Sequence, residues 1–142
     1  MLQILAIEDD SKIVKLYESL FAKIGANLFL ATSEQEMTRI LNDEQIDVVL
    51  MDYHIEGFGY ADEAGEKKHT GLTLAKLIAS NSDWQHIPVV LVTADKSQQE
   101  FEKAKNSGIA GVVFKPFESL LDLPQQLEEI IKRWRKEHPK KI

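Results

Sequence analysis

Six side chains suited to chemistry lie where short apolar runs of the sequence end. They comprise three consecutive acids, a fourth acid, a threonine and a lysine: Glu8, Asp9, Asp10, Asp52, Thr93 and Lys115. Acids that gather at one place repel one another and raise each other's pKa unless a cation lies between them. Carboxylate oxygens, without histidine or cysteine ligands, suit magnesium. A lysine that binds phosphate and a threonine hydroxyl that donates to it complete a site for phosphoryl transfer, with a carboxylate as nucleophile.

The elements that must position these residues are five short apolar runs, separated by longer segments of helical period. The runs are Leu2–Ile7, Asn27–Ala31, Asp47–Met51, Pro88–Val92 and Gly111–Phe114. Three of them contain four consecutive apolar residues, which indicates strands buried on both faces of a parallel sheet. The repeated strand–helix alternation predicts a doubly wound α/β domain with right-handed crossovers. Ligands of such sheets bind outside the carboxyl ends of the strands, where we expect the six residues to meet.

Local signals mark where the helices begin and end. The first helix is predicted over Ser11–Ile24, because its apolar residues follow one another at the i, i+3, i+4 spacing. Two capping boxes, two closing glycines and a proline in a first turn mark further ends: Ser33 with Glu36, Ser97 with Glu100, Gly25, Gly108 and Pro124.

One segment interrupts the alternation. Between the third strand and the helical stripe that resumes near Gly71 lies Tyr53–Thr70, which contains three glycines, four acids and two lysines. Connections in such folds usually have about 2 to 6 residues. We therefore expect this inserted loop, at about 53–70, to act as a lid or as a docking element.

Composition and charge exclude several classes of protein. The chain has no cysteine, which rules out disulfides, a thiol nucleophile and Cys-ligated metal sites. Its net charge of −6 argues against a general nucleic-acid binder. No apolar run approaches the roughly 18 residues that span a bilayer, and no secretory signal precedes the first strand. These features favour one domain and a cytoplasmic location.

Positive charge is concentrated at the end of the sequence. Residues 132–142 contain six basic residues and one acid. Positive side chains are favourable at a helix C-terminus, so we interpret this stretch as a basic, solvated helix end. Binding to an acidic partner or a membrane surface remains the alternative.

The order of these residues resembles the receiver domain of bacterial two-component response regulators. An acidic pair follows the first strand, Asp52 the third, Thr93-Ala94 the fourth and Lys115-Pro116-Phe117 the fifth. The matching segments cover nearly the whole chain: Ile4–Asp10, Asp47–Asp52, Gly71–Leu74, Val89–Ala94 and Gly108–Phe117. The resemblance implies a single receiver domain over residues 1–142. It also implies a flavodoxin-like five-stranded parallel sheet in the order 2-1-3-4-5, with helices on both faces.

The resemblance also implies a role for each site residue. Asp52 would be the phosphoacceptor, attacking a phosphohistidine on a histidine kinase or a histidine phosphotransfer protein. Thr93 and Lys115 would bind the phosphoryl group. The resemblance further implies one Mg²⁺ ion, with these ligands: Glu8, Asp9, Asp52 and the backbone carbonyl of His54.

Signalling in such a domain proceeds through protein contact. The resemblance implies that phosphorylation shifts an equilibrium between inactive and active states and remodels the face made by the last two helices and strands. The domain would not be an enzyme with a substrate of its own. It would act as a monomer or weak dimer on an unknown protein target, without direct contact to nucleic acid.

The sequence departs from the family pattern at four places. Glu8 replaces an aspartate, Glu56 replaces a proline, and Val112 stands where an aromatic switch residue is usual. The fourth departure is the inserted loop. These departures keep open a receiver-like scaffold that binds partners without being phosphorylated.

Two other functions are possible on the same fold. A flavodoxin-like cofactor binder would need a phosphate-cradling loop after the first strand, where the acids Glu8, Asp9 and Asp10 would repel a phosphate. A haloacid-dehalogenase-like phosphatase would need a second aspartate two residues after Asp52, where His54 stands. Both are less favoured than the receiver domain.

Overall fold

The computed structural model describes residues 1–53, 71–93, 108–114 and 122–139. Within these residues, strands and helices alternate up to the fourth strand, as the sequence predicts, and the helix predicted between the fourth and fifth strands lies outside the described residues. Their order is β1 (Gln3–Ile7), α1 (Ser11–Lys23), β2 (Asn27–Ala31), α2 (Glu34–Asp43), β3 (Val48–Asp52), α3 (Gly71–Ser80), β4 (Val89–Thr93), β5 (Gly111–Phe114) and α4 (Leu123–Glu137).

All five strands form one parallel sheet in the order β2-β1-β3-β4-β5. This order confirms the predicted flavodoxin-like topology. From β1 the chain moves outward to β2, and then crosses back to place β3 on the other side of β1. The strand order therefore reverses between β1 and β3, which is where ligands bind in such sheets.

Two hydrophobic layers cover the sheet because its side chains alternate between its faces. Ile4 and Ala6 of β1 pack with α1 and α4, whereas Leu5 and Ile7 pack with α2 and α3. The central strands are buried on both sides, and this explains their unbroken apolar runs.

Two strands extend one residue further than their apolar runs. The runs end at Met51 and Val92, but β3 includes Asp52 and β4 includes Thr93. Asp52 pairs with Val92 in the ladder, and Thr93 pairs with Phe114. Because the backbone ladder continues past the last apolar residue, these two polar residues are held by the sheet itself.

Most of the predicted helix ends are confirmed. The Ser33 side chain caps α2 by accepting from the Glu36 amide at 3.1 Å. Gly25, just after α1, has the positive φ of 67° that favours glycine. Gly108 has a φ of 78°, but the helix that the sequence predicts before it lies outside the described residues. Pro124 lies in the first turn of α4. The predicted Ser97–Glu100 capping box lies outside the described residues, as do residues 54–70 of the inserted loop.

The basic end of α4 contacts the amino-terminal edge of the sheet. Arg135 forms an ion pair with Asp47 at 2.6 Å, and the Arg133 guanidinium donates to the Ala110 carbonyl at 3.4 Å. Part of this positive charge therefore holds the helix in place. Within the described ranges, no helix is both long and apolar enough to cross a bilayer.

Candidate functional site

The pairing of strands brings the predicted acids to one edge of the sheet. In the β1–β3 ladder, Ile4 lies opposite Val48 and Ile7 lies opposite Met51. Continuing the same register by one residue places Glu8 level with Asp52. Both belong to the sheet face that packs against α1 and α4, since they continue the alternation of the residues before them. The two acids therefore flank the point at which the strand order reverses.

Three carboxylates meet there. One oxygen from each of Glu8, Asp9 and Asp52 can be chosen so that all three lie within 4.8 Å of one another. Glu8 and Asp52 are only 3% and 4% exposed, whereas Asp9 is open to solvent. Together these three groups could hold one divalent cation. Hard carboxylate donors of this kind fit magnesium.

The loop after β1 holds its acids in distinct roles. Glu8 Oε1 accepts a hydrogen bond from the Asp10 amide at 3.1 Å, so the longer glutamate side chain folds back onto its own loop. Asp10 caps α1 by accepting from the Lys12 amide at 2.9 Å. The positive end of the α1 dipole thus begins beside the carboxylates, where it favours negative charge. The structure separates a capping acid from the two that face Asp52.

Thr93 follows Val92, the strand partner of Asp52, at the same edge of the sheet. It is 5% exposed at the end of β4, and it pairs with Phe114, the residue directly before Lys115. Val112 pairs with Leu91 and packs against the core layer of α2 and α3. Lys115 and the His54 carbonyl lie outside the described residues, so their assigned roles stay predictions.

The start of α3 contacts the backbone of the central acid. The Gly71 amide donates to the Tyr53 carbonyl at 2.8 Å. A Cβ atom on Gly71 would clash with the main-chain carbonyl oxygen of Asp52. The two ends of the inserted segment therefore meet at Asp52, and only a glycine permits this approach.

Tyr17 lies in the predicted helix Ser11–Ile24, but the sequence did not indicate that its phenol would be influenced by the acidic edge of the sheet. Burial raises the pKa of the Tyr17 phenol, and the negative charges of Glu8 and Asp52 raise it further. The available signal was a tyrosine in the buried stripe of a helix that starts directly after an acidic triplet.

Comparison with known proteins places this chain in a family. The sequence model of the response regulator receiver domain matches residues 4–132. The chemotaxis protein CheY of Pseudomonas aeruginosa is 24% identical over 133 residues, which cover 93% of this chain and 98% of that protein.

Solved structures show the same fold. A putative response regulator from Chloroflexus aurantiacus superposes with a TM-score of 0.76 at 20% identity, covering 93% of this chain and 98% of the other. The receiver domain of a Pseudomonas aeruginosa sensor histidine kinase, with a magnesium ion coordinated in its active-site cleft, has a TM-score of 0.67 at 20% identity. That alignment covers 94% of this chain and 96% of the other. The chain therefore belongs to the response regulator receiver domain family.

Proposed function

We propose that this chain is the phosphoacceptor module of a two-component phosphorelay and that Asp52 receives the phosphoryl group. One observation carries the proposal. Asp52 is buried at the strand-order reversal, with two further carboxylates whose oxygens lie within 4.8 Å. Gathering like charges in a buried place costs free energy, and a site that binds a cation and a phosphoryl group offsets this cost.

The chemical step is the transfer of a phosphoryl group between two side chains. A carboxylate oxygen of Asp52 bonds to phosphorus while the phosphorus–nitrogen bond of a partner's phosphohistidine breaks. The bonding electron pair returns to the imidazole nitrogen, and the ring becomes a neutral imidazole after proton exchange with water. Asp52 performs this step as a carboxylate, because only the ionised form is a nucleophile.

Glu8, Asp9 and Asp52 would hold Mg²⁺ together with the backbone carbonyl of His54. The ion supplies neutralising charge to the phosphoryl oxygens. The related sensor-kinase receiver domain, which binds magnesium in its cleft, supports this assignment. Glu8 and Asp52 are buried, whereas Asp9 is exposed to solvent.

Thr93 and Lys115 would bind the phosphoryl group after transfer. The Thr93 hydroxyl can donate to a phosphoryl oxygen from the end of β4. Lys115 follows Phe114, the strand partner of Thr93, so its ammonium would approach from the neighbouring strand. Together they would stabilise the charge that Asp52 gains.

The partners follow from this chemistry. A histidine kinase or a histidine phosphotransfer protein would donate the phosphoryl group, and output would pass to a protein target by contact. The chain would have no substrate beyond its own phosphorylation and dephosphorylation. We place this activity in the cytoplasm, with the chain acting as a monomer or weak dimer.

Intact-mass measurement tests the proposal. The wild-type protein is incubated with acetyl phosphate in Mg²⁺ or in EDTA, beside Asp52→Asn and the control Asp83→Asn, which removes an exposed acid in the α3–β4 turn. We expect one phosphoryl adduct that needs Mg²⁺, persists in Asp83→Asn and is lost in Asp52→Asn. If no adduct formed and beryllofluoride did not bind either, the chain would be a phosphorylation-independent scaffold.

A further inference from the structure

Strand β2 forms one edge of the sheet, and among the described strands it pairs only with β1. The Asn27 amide donates to the Leu2 carbonyl at 2.8 Å, so the backbone groups of Asn27 point toward β1. Because these groups alternate between the two sides of a strand, those of Leu28 and Leu30 point away from the sheet. No other residue in the described part of the chain bonds to these outward N–H and C=O groups.

This open edge lacks the features that usually keep sheet edges apart. The strand reads Asn-Leu-Phe-Leu-Ala, with no charged residue and no proline. Its three central side chains are half-buried: Phe29 packs against the core layer of α2 and α3, whereas Leu28 and Leu30 pack against the layer of α1 and α4. Apolar groups therefore border the edge on both faces. Natural proteins protect such edges with lysine, proline or bulges, so an unprotected edge indicates a pairing partner.

The apolar triplet Leu28-Phe29-Leu30 reads the same in both directions, which suits pairing with a second copy of the chain. When two β2 strands run antiparallel about a two-fold axis at Phe29, Leu28 of each copy lies opposite Leu30 of the other. Each such pair exchanges two backbone hydrogen bonds, so the two pairs use all the outward groups in four bonds. Phe29 faces its own equivalent between them, where side chains approach most closely. Since the strand carries no charge, the ladder opposes no like charges.

We propose that β2 is a homodimer interface, through which two copies join their sheets by an antiparallel pair of edge strands. The interface goes beyond the proposed function and does not depend on phosphoryl transfer, because β1 separates β2 from the strand that carries Asp52. Helices α1 and α2 contact β2 from its two faces, so each would lie beside its own equivalent in the dimer. A junction of five residues is short, and we therefore expect a weak, micromolar dimer.

A single introduced cysteine tests the register, because the chain has no cysteine of its own. In Phe29→Cys, the two thiols would face each other across the axis at a Cα separation of about 4.5 Å, which a disulfide spans. Leu28→Cys is the matched control on the same edge, since its two thiols would be diagonal neighbours about 7 to 8 Å apart, too far to bond. Ser80→Cys, exposed at the end of α3, measures chance collisions. Under mild oxidation, followed by intact mass, we expect Phe29→Cys to form a disulfide dimer about tenfold faster than either control.

Sedimentation velocity provides a second test on the unmodified chain. The average mass of wild type should rise from monomer toward dimer as the protein concentration increases. Leu28→Lys places an ammonium group in the junction twice, once from each copy, and should raise the dimer dissociation constant by about tenfold. Leu77→Lys changes a leucine that is 37% exposed on α3 and should dimerise like wild type. Circular dichroism of each variant checks that it is folded.

Three results would overturn the interface. The first is a wild-type chain that stays monomeric at its highest soluble concentration, which would leave the edge to a strand of another protein. The second is a Phe29→Cys disulfide that forms no faster than those of Leu28→Cys and Ser80→Cys. The third is a wild-type dimer that Leu28→Lys does not weaken, because its interface would then lie elsewhere. None of these outcomes affects the assignment of Asp52, and Asp52→Asn should dimerise like wild type.

Discussion

The two ends of β3 carry an aspartate each, in opposite surroundings. Asp47, just before the strand, accepts from the Gln3 amide at 2.8 Å and pairs with Arg135 at 2.6 Å. Asp52, the last residue of the strand, lies among other carboxylates. An acid beside an amide and a guanidinium stabilises the fold, whereas an acid beside like charges costs stability. The comparison contrasts an acid that stabilises the fold at the amino edge with an acid that we propose serves function at the carboxyl edge.

Phosphoryl acceptance should separate the two aspartates completely. Asp47→Asn should form as much Mg²⁺-dependent adduct with acetyl phosphate as wild type, because its side chain is at the far end of the strand. Asp52→Asn should form none, since the amide is not a nucleophile. Time-resolved intact mass measures both. An adduct on Asp52→Asn, or loss of the adduct in Asp47→Asn, would contradict the separate roles that we assign to the two aspartates.

Alanine substitutions at two glycines should give the next largest effect, which is on the free energy of unfolding. A Cβ on Gly71 would meet the backbone of Asp52, which cannot move aside, so Gly71→Ala should lower the unfolding free energy by about 3 kcal/mol. At the amino end of β5, a Cβ on Gly111 would lie 2.9 Å from Ile130 Cδ1, the tip of a flexible side chain. We expect Gly111→Ala to cost about 1 kcal/mol by urea unfolding. Equal costs would mean that the contact with Asp52 is not tight.

Removing charge should change stability in opposite directions at the two ends. In EDTA, Asp52→Asn should raise the unfolding free energy by about 1 kcal/mol, because it relieves repulsion among the carboxylates. Asp47→Asn should lower it by about 1 kcal/mol, because it weakens charge-assisted bonds. Saturating Mg²⁺ should cancel the gain of Asp52→Asn. A loss of stability for Asp52→Asn in EDTA would contradict the cost assigned to the cluster.

The smallest effect concerns the partner of Asp47. Arg135 has a side chain that is 60% exposed, so water screens its ion pair. Arg135→Gln should cost about 0.5 kcal/mol, and the cost should fall at high salt. Lys132→Gln, on the same helix and without an ion pair to the described residues, is the control. An equal loss in both variants would show that the pair with Asp47 contributes nothing.

The sequence predicts the fold because its apolar runs follow the periodicities that a parallel sheet and its helices require. It also predicts which acids meet, since the carboxyl ends of parallel strands share one edge. The apolar run predicts Asp47 at the start of a strand, but the sequence does not show its bond to Gln3 or its pair with Arg135. Those contacts depend on the side-by-side placement of residues that are distant in the chain.

Two features of the site also required three-dimensional structure. Gly71 matched a family position, but the reason only glycine fits is its approach to the Asp52 carbonyl. Tyr17 matched the apolar period of α1, and periodicity does not distinguish a ring from a ring with a hydroxyl. The effect of Glu8 and Asp52 on the pKa of Tyr17 exists only because the helix and the strands are packed together.

A crystal structure with Mg²⁺ and beryllofluoride tests the role of Asp52 most directly. We expect beryllium bonded to a carboxylate oxygen of Asp52, with Mg²⁺ bound by Glu8, Asp9, Asp52 and the His54 carbonyl. The fluorines should accept hydrogen bonds from the Thr93 hydroxyl and the Lys115 ammonium. Beryllofluoride on another carboxylate, or an empty site at saturating concentrations of both ions, would contradict the assignment of Asp52 as the phosphoacceptor.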